Sequence, residues 1–298
     1  MLRTLLAALT AVLILPATAE AAFPGANGRI AFNWTFGCDG SVIATMKPNG
    51  SDLQRLTDDP CKVDGAPRAA YPDYTSDGAN LVFVRGQELF TMTAGGIGQA
   101  PLGLKNLSDQ GRPSVSPNGA RVAYTRVRSG HTTIYTAKLD GTDVQRLRRG
   151  SSPRYSPDGR TIAYLAPTGG RITIVRAGTG KIVRRLAVGG SQLDWAPGGK
   201  RFVYATFDDM YLVRTDGSGK RRLTRTSAHE ISPVWSPDGE RIAFVRYLRS
   251  GEEEVRFAVF TMRADGHGRA KRIYRTSEES AEETLEPLTI SWQPVVGP

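Results

Sequence analysis

Residues 233–275 fall into short apolar runs separated by polar turn words. In order they read PVWS, PDG, RIAFVR, VRFAVFTMRA, DGHG and RAKRIYR. The runs are rich in Ile, Val, Phe and Tyr, and Gly, Pro and Asp divide them, which marks strands and turns rather than helices. Four strands are therefore predicted: PVWS, RIAFVR, VRFAVFTMRA and RAKRIYR. Pro237 fixes φ at the second turn position, Asp238 bonds to nearby backbone, and Gly239 accepts a positive φ.

Nearly the same phrase returns along the chain. PDYTSDGANLVFVR stands at 72–85, PSVSPNGARVAYTR at 113–126, PRYSPDGRTIAYLA at 153–166 and LDWAPGGKRFVYAT at 193–206. A shortened copy, FPGANGRIAFNW, stands at 23–34. The turn glycines Gly28, Gly78, Gly119, Gly159, Gly199 and Gly239 are spaced by 50, 41, 40, 40 and 40 residues. A period near 40 built from strands is that of a four-stranded propeller blade. The first copy lacks its PxWS strand, and PLTISWQP at 287–294 supplies one, with Trp292 standing where Trp235 stands in its repeat. The expected fold is all-β, a six-bladed β-propeller whose C-terminal strand completes the first blade and leaves no open sheet edge at the seam.

The repeat P-x-W-S-P-D-G-x-x-I-A-F, followed by an I-Y-x-M-like strand and D-G-S-G-x-x-x-L-T, resembles the TolB-like six-bladed β-propellers (WD40-like, Pro-Asp repeats). The resemblance covers residues 23–298. TolB itself carries a smaller α/β domain ahead of its propeller, for which this sequence leaves no room, so the likeness is confined to the propeller.

Residues 1–22 read as a signal peptide. Arg3 precedes the apolar run TLLAALTAVLILPA, which is short for a bilayer span, and small residues near Ala19 to Ala22 offer cleavage sites. Two domains of sequence follow: 1–22 for export and 23–298 for the propeller. No later run is long and apolar enough to span a membrane. Export to the periplasm or beyond the cell makes a disulfide the natural reading of Cys38 and Cys61, the two cysteines. It would close a loop of about 24 residues and contribute roughly 3 kcal/mol. The formal net charge is +10, with 39 basic residues against 29 acidic ones. A basic exported chain is drawn to anionic surfaces. It carries none of the usual nucleic-acid motifs, so nucleic acid is not expected as a partner.

Motifs for chemistry are sparse. GTGK at 178–181 lacks the remaining positions of a phosphate loop and reads as a hairpin turn. No G-x-S-x-G elbow or H-E-x-x-H occurs, and the Asp-Gly turns lack an EF-hand's ligand spacing. His131 and His229 belong to one face of the propeller and His267 to the other, so a three-His metal site is not expected. No cofactor is predicted, although the carboxylates leave room for a channel-bound cation. Residues that precede or begin innermost strands converge on the channel mouth: Arg68, Asp73, Arg112, Arg154, Asp194, His229, Glu230 and Glu286. That mixture suits a polar peptide or a cation.

Outer strands carry RLRR at 146–149, KIVRR at 181–185, KRRLTR at 220–225 and RAKRIYR at 269–275. They protect edges against pairing and make the rim of blades 3 to 6 positive. The acidic runs GEEE at 251–254 and EESAEETLE at 278–286 offset this locally. The expected function is a monomeric, exported, non-catalytic module that binds an envelope or secreted protein or peptide. Two alternatives stand beside it: a channel-mouth, cation-dependent enzyme of lactonase, dehydrogenase or hydrolase type, and an electrostatic binder of anionic wall polymers.

Overall fold

A computed structural model describes residues 25–36, 40–58, 67–107, 111–128, 130–206, 209–250, 254–275 and 289–295. Cys38, Cys61, Glu286 and the whole of 1–22 lie outside the described residues. The first blade contributes β1 (Ala26–Phe36), β2 (Gly40–Met46) and β3 (Gln54–Arg55). Blade 2 contains β4 (Ala69–Tyr74), β5 (Asn80–Arg85), β6 (Glu88–Thr93) and β7 (Ala100–Lys105). Blade 3 has β8 (Ser114–Val115), β9 (Arg121–Arg128), β10 (His131–Lys138) and β11 (Gln145–Arg149). Blade 4 has β12 (Ser151–Tyr155), β13 (Thr161–Leu165), β14 (Arg171–Arg176) and β15 (Ile182–Gly189). Blade 5 has β16 (Gln192–Trp195), β17 (Arg201–Ala205), β18 (Met210–Arg214) and β19 (Arg221–Arg222). Blade 6 has β20 (Glu230–Trp235), β21 (Arg241–Ser250), β22 (Glu254–Arg263) and β23 (Lys271–Arg275), and β24 (Ile290–Val295) follows.

These strands form six four-stranded antiparallel sheets, and β24 pairs with β1 to complete the first. In that seam Trp292 sits opposite Ile30 and Ile290 opposite Phe32. The fold class read from the repeat is the fold observed.

The repeated words have local physical causes. In SPDG at 156–159 the Ser156 hydroxyl donates to Asp158 Oδ1 (2.6 Å), and the same oxygen accepts from Arg160 N (3.0 Å). Gly159 then closes the turn onto Ser156 O at 2.8 Å with φ +67°. The word L-T at the end of outer strands shortens them. Leu56 N donates to Ile43 O, and the next acceptor is not a backbone carbonyl but the Thr57 hydroxyl, which takes Ile43 N at 3.0 Å. Leu223 and Thr224 repeat this against Met210, again with a 3.0 Å bond. The hydroxyl substitutes for a ladder carbonyl, so β3 and β19 stop after two residues where longer strands were expected.

The core is divided by the blades. One apolar cluster fills each junction: Tyr74 with Ile43 between blades 1 and 2, Val115 with Leu104 between 2 and 3, and Tyr155 with Ile134 between 3 and 4. Trp195 with Ile174, Trp235 with Leu212 and Trp292 with Val259 fill the remaining three. The inner-strand aromatic of five blades, and Val115 in blade 3, thus packs against the blade before it. Burial of these large rings, at about 25 cal/mol per Å² of apolar surface, holds neighbouring blades together.

Candidate functional site

The position just before the inner-strand aromatic, or before Val115 in blade 3, holds Ser291, Asp73, Ser114, Arg154, Asp194 and Val234 in blades 1 to 6. Four of them also tie their blade to the next. Ser291 Oγ accepts from Tyr74 N (3.2 Å), Asp73 Oδ2 from Val115 N (2.9 Å), Ser114 Oγ from Tyr155 N (3.0 Å) and Asp194 Oδ2 from Trp235 N (2.9 Å). At the fourth junction the Trp195 indole donates to Arg154 O at 3.1 Å. One oxygen of each aspartate is therefore committed to the scaffold; Asp73 Oδ1 also accepts from the Ser291 hydroxyl (3.5 Å), and Asp194 Oδ1 faces Arg154.

Arg154 stands within ion-pairing distance of both Oδ1 oxygens. Its Nη1 lies 3.8 Å from Asp73 Oδ1, two blades away, and its Nε lies 4.0 Å from Asp194 Oδ1. Nη1 also donates to Pro113 O at 2.9 Å. Burial pushes both carboxyls up, Asp194 to about 7, and the Arg154 charge offsets part of that rise. Arg154 thus places its positive charge between the two carboxylates.

A second layer lies two residues earlier, toward the loops that join one blade to the next: Tyr71, Arg112, Ser152, Gln192, Ser232 and Thr289. Inner strands of blades 2, 4 and 6 bulge here, and Tyr71, Ser152 and Ser232 adopt φ of +58°, +52° and +53°. Each precedes a proline, which has no N–H to donate to the ladder. Left-handed backbone at non-glycine residues is costly and concentrates at functional sites.

Arg112 dominates this layer. It belongs to blade 3, is 8% exposed, and reaches across the channel to Ser232 of blade 6, with Nη2 3.5 Å from Oγ. Its guanidinium carbon stands 5.7 Å over the Tyr71 ring. Among the described residues no carboxylate lies within ion-pairing distance of it. Burial, and then repulsion from Arg154, bring its pKa down to about 10, with Tyr71 and Tyr247 opposing the shift. A guanidinium presents five donors, and among the described residues its one side-chain hydrogen bond is the long one to Ser232.

Asp73, Arg112, Arg154 and Asp194 are thus brought together as expected. Glu230 is placed differently. It is fully buried rather than open to the mouth, with Oε1 accepting from Arg246 Nε (2.9 Å) and from the Thr226 hydroxyl (2.6 Å). It is an internal ion pair of blade 6, and its Oε2 has no hydrogen-bond partner. Arg68 lies half-buried ahead of β4, and its carbonyl accepts from Gly86 N (2.9 Å). His229 is exposed and meets Tyr247 edge-on at 6.4 Å. His131 begins β10 and His267 sits in the β22–β23 turn. The polar partners Ser114, Gln192, Ser232 and Ser291 were not expected, although they occupy the same repeat columns as the charged residues.

Comparison with known proteins agrees with this architecture. No family model matches. The chain is 38% identical over 65 residues to dipeptidyl-peptidase 5 of Porphyromonas gingivalis, covering 18% of this chain and 10% of that protein. It is 30% identical over 138 residues to a TolB homologue of Chlorobium chlorochromatii, 43% of this chain and 31% of that one. A TolB homologue of Chlorobium luteolum is 27% identical over 182 residues, 60% of this chain and 34% of that one. The matches therefore span about a third or less of these relatives. TolB from Acinetobacter baumannii superposes with a TM-score of 0.69 at 21% identity, over 92% of this chain and 67% of that one. The fold is TolB-like. Other propellers share it: a chain of a nidogen/laminin complex aligns with a TM-score of 0.61 at 10% identity, over 90% of this chain and 98% of its own. Among the described residues no helix is long and apolar enough to cross a membrane.

Proposed function

We propose that this TolB-like propeller is an exported, non-catalytic binding module whose channel mouth receives an acidic group of a partner protein in the cell envelope or outside the cell. The observation that carries the reading is Arg112. A guanidinium buried beside Tyr71, whose one side-chain hydrogen bond among the described residues is 3.5 Å long, is an expensive residue to keep for stability alone. A carboxylate entering from the loop face would supply the bidentate partner that no described residue provides. Ser232, Gln192 and Tyr71 offer further polar and aromatic contacts around it. The signal-peptide character of residues 1–22 supports export. The nidogen/laminin structure, a complex of two proteins, supports protein binding as a use of this fold.

The cation-dependent enzyme reading draws less support, because Arg154 already bridges Asp73 and Asp194. The test is affinity capture of the tagged protein from its own host, comparing wild type with Arg112→Met. One dominant exported partner, lost from the folded variant, supports the proposal. Equal capture by both proteins contradicts it.

A further inference from the structure

The outer strands differ sharply between the two halves of the ring. Strands β11, β15, β19 and β23 are the outermost of blades 3 to 6, and each carries two or three basic residues and no acidic one. The corresponding β3 and β7 of blades 1 and 2 carry one each. Every outermost strand faces the same hazard of edge-to-edge pairing. Blade 2 meets it with Pro101 and Gly103 rather than with charge. The excess on the other four blades therefore exceeds what edge protection requires.

These charges are also available. Arg146 and Arg149 on β11, Arg184 and Arg185 on β15, and Lys271 and Arg272 on β23 are all exposed. Among the described residues none of them has a carboxylate within ion-pairing distance, whereas Arg222 of β19 is paired with Asp209. Shape then narrows the partner. Blades 3 and 6 lie on opposite sides of the channel, as the Arg112–Ser232 contact shows. Their outer edges face away from each other, so no flat surface can touch both. A membrane or a rigid rod would use one or two blades at most. A flexible chain can follow the whole arc, and guanidinium groups pair readily with phosphate.

We infer that the outer rim of blades 3 to 6 is a belt that binds a flexible, linear, phosphate-bearing polymer. The belt is separate from the channel mouth and independent of the function proposed for it. The probe is poly(glycerol phosphate), titrated against the purified protein across a salt series. Three pair variants are compared with wild type: Arg146→Gln with Arg149→Gln, Arg184→Gln with Arg185→Gln, and Lys271→Gln with Arg272→Gln. All alter exposed side chains, and an unchanged melting temperature verifies their folding. Each pair is expected to weaken binding roughly tenfold at low salt and to reduce the slope of log K against log salt by about one to two. Arg112→Met is expected to leave this binding unchanged. The inference is overturned if the pair variants bind like wild type or if one blade accounts for the whole effect. Tighter binding to anionic phospholipid vesicles than to the polymer overturns it as well.

Discussion

Arg112 of blade 3 and Ser232 of blade 6 meet across the central channel, Nη2 to Oγ, at 3.5 Å. The contact joins opposite walls of the ring at a level where Ser232 itself has left-handed backbone, φ +53°. Among the described residues no carboxylate lies within ion-pairing distance of that guanidinium.

Stability and binding should therefore separate at Arg112. Methionine keeps most of the side-chain volume and removes a buried charge that no described carboxylate pairs, a replacement that is often neutral or stabilising. Arg112→Met is expected to unfold at the same denaturant concentration as wild type or higher, by up to about 1–2 kcal/mol. Loss of several kcal/mol would mean that the guanidinium is a structural strut.

The pH dependence should report Asp194. Its folded pKa, about 7, lies above its ordinary value of 3.8 because burial disfavours the carboxylate. The folded state thus holds the proton more tightly than the unfolded chain. The associated stability is fully present below about pH 4 and is lost as pH rises through about 7. Asp194→Asn retains an acceptor for Trp235 N, and its melting temperature should decline less between pH 4 and pH 7 than that of wild type. Parallel pH profiles would assign the dependence elsewhere.

Glu230 and Arg246 should behave as a buried pair. Removing Arg246 alone strands a fully buried carboxylate and is expected to cost about 3–5 kcal/mol. Arg246→Met combined with Glu230→Leu should recover much of that loss. Equilibrium unfolding of both variants measures the difference, and equal destabilisation would show that packing outweighs charge here.

The L-T word gives a smaller, paired prediction. Thr57→Val and Thr224→Val each leave a buried backbone N–H, of Ile43 and of Met210, without its acceptor. Each should cost about 1–3 kcal/mol. Hydrogen exchange at those two amides should accelerate while the rest of the blade is unaffected. Unaltered exchange would refute the role given to the hydroxyls.

The blades were legible because every repeat carries the same strand and turn chemistry, and Trp292 alone revealed the seam. The channel charges were legible in part. Asp73, Arg154 and Asp194 share the column before the inner aromatic, and Arg112 stands two residues earlier in its repeat. Reading those columns through all six repeats would also have found Ser114, Ser291, Gln192 and Ser232. Glu230 was not legible for a register reason. A regular ladder continued from Trp235 opposite Ile242 places Glu230 opposite Tyr247, but the bulge between Ile231 and Val234 shifts it opposite Arg246. A one-residue bulge thus converted an expected mouth ligand into an internal ion pair. The early stops of β3 and β19 were hidden likewise, since a threonine inside an apolar run reads as strand until its hydroxyl is seen replacing a carbonyl.

The most direct test of the account places a photo-crosslinking amino acid at His229, which is exposed beside the channel mouth, in the full-length protein expressed in its own host. Mass spectrometry then identifies what is trapped. The account predicts one dominant exported protein, attached through a segment bearing Asp, Glu or a free C-terminus, and loss of that adduct when Arg112→Met is added. An adduct that persists undiminished in the Arg112→Met protein, or the absence of any protein adduct, would contradict it.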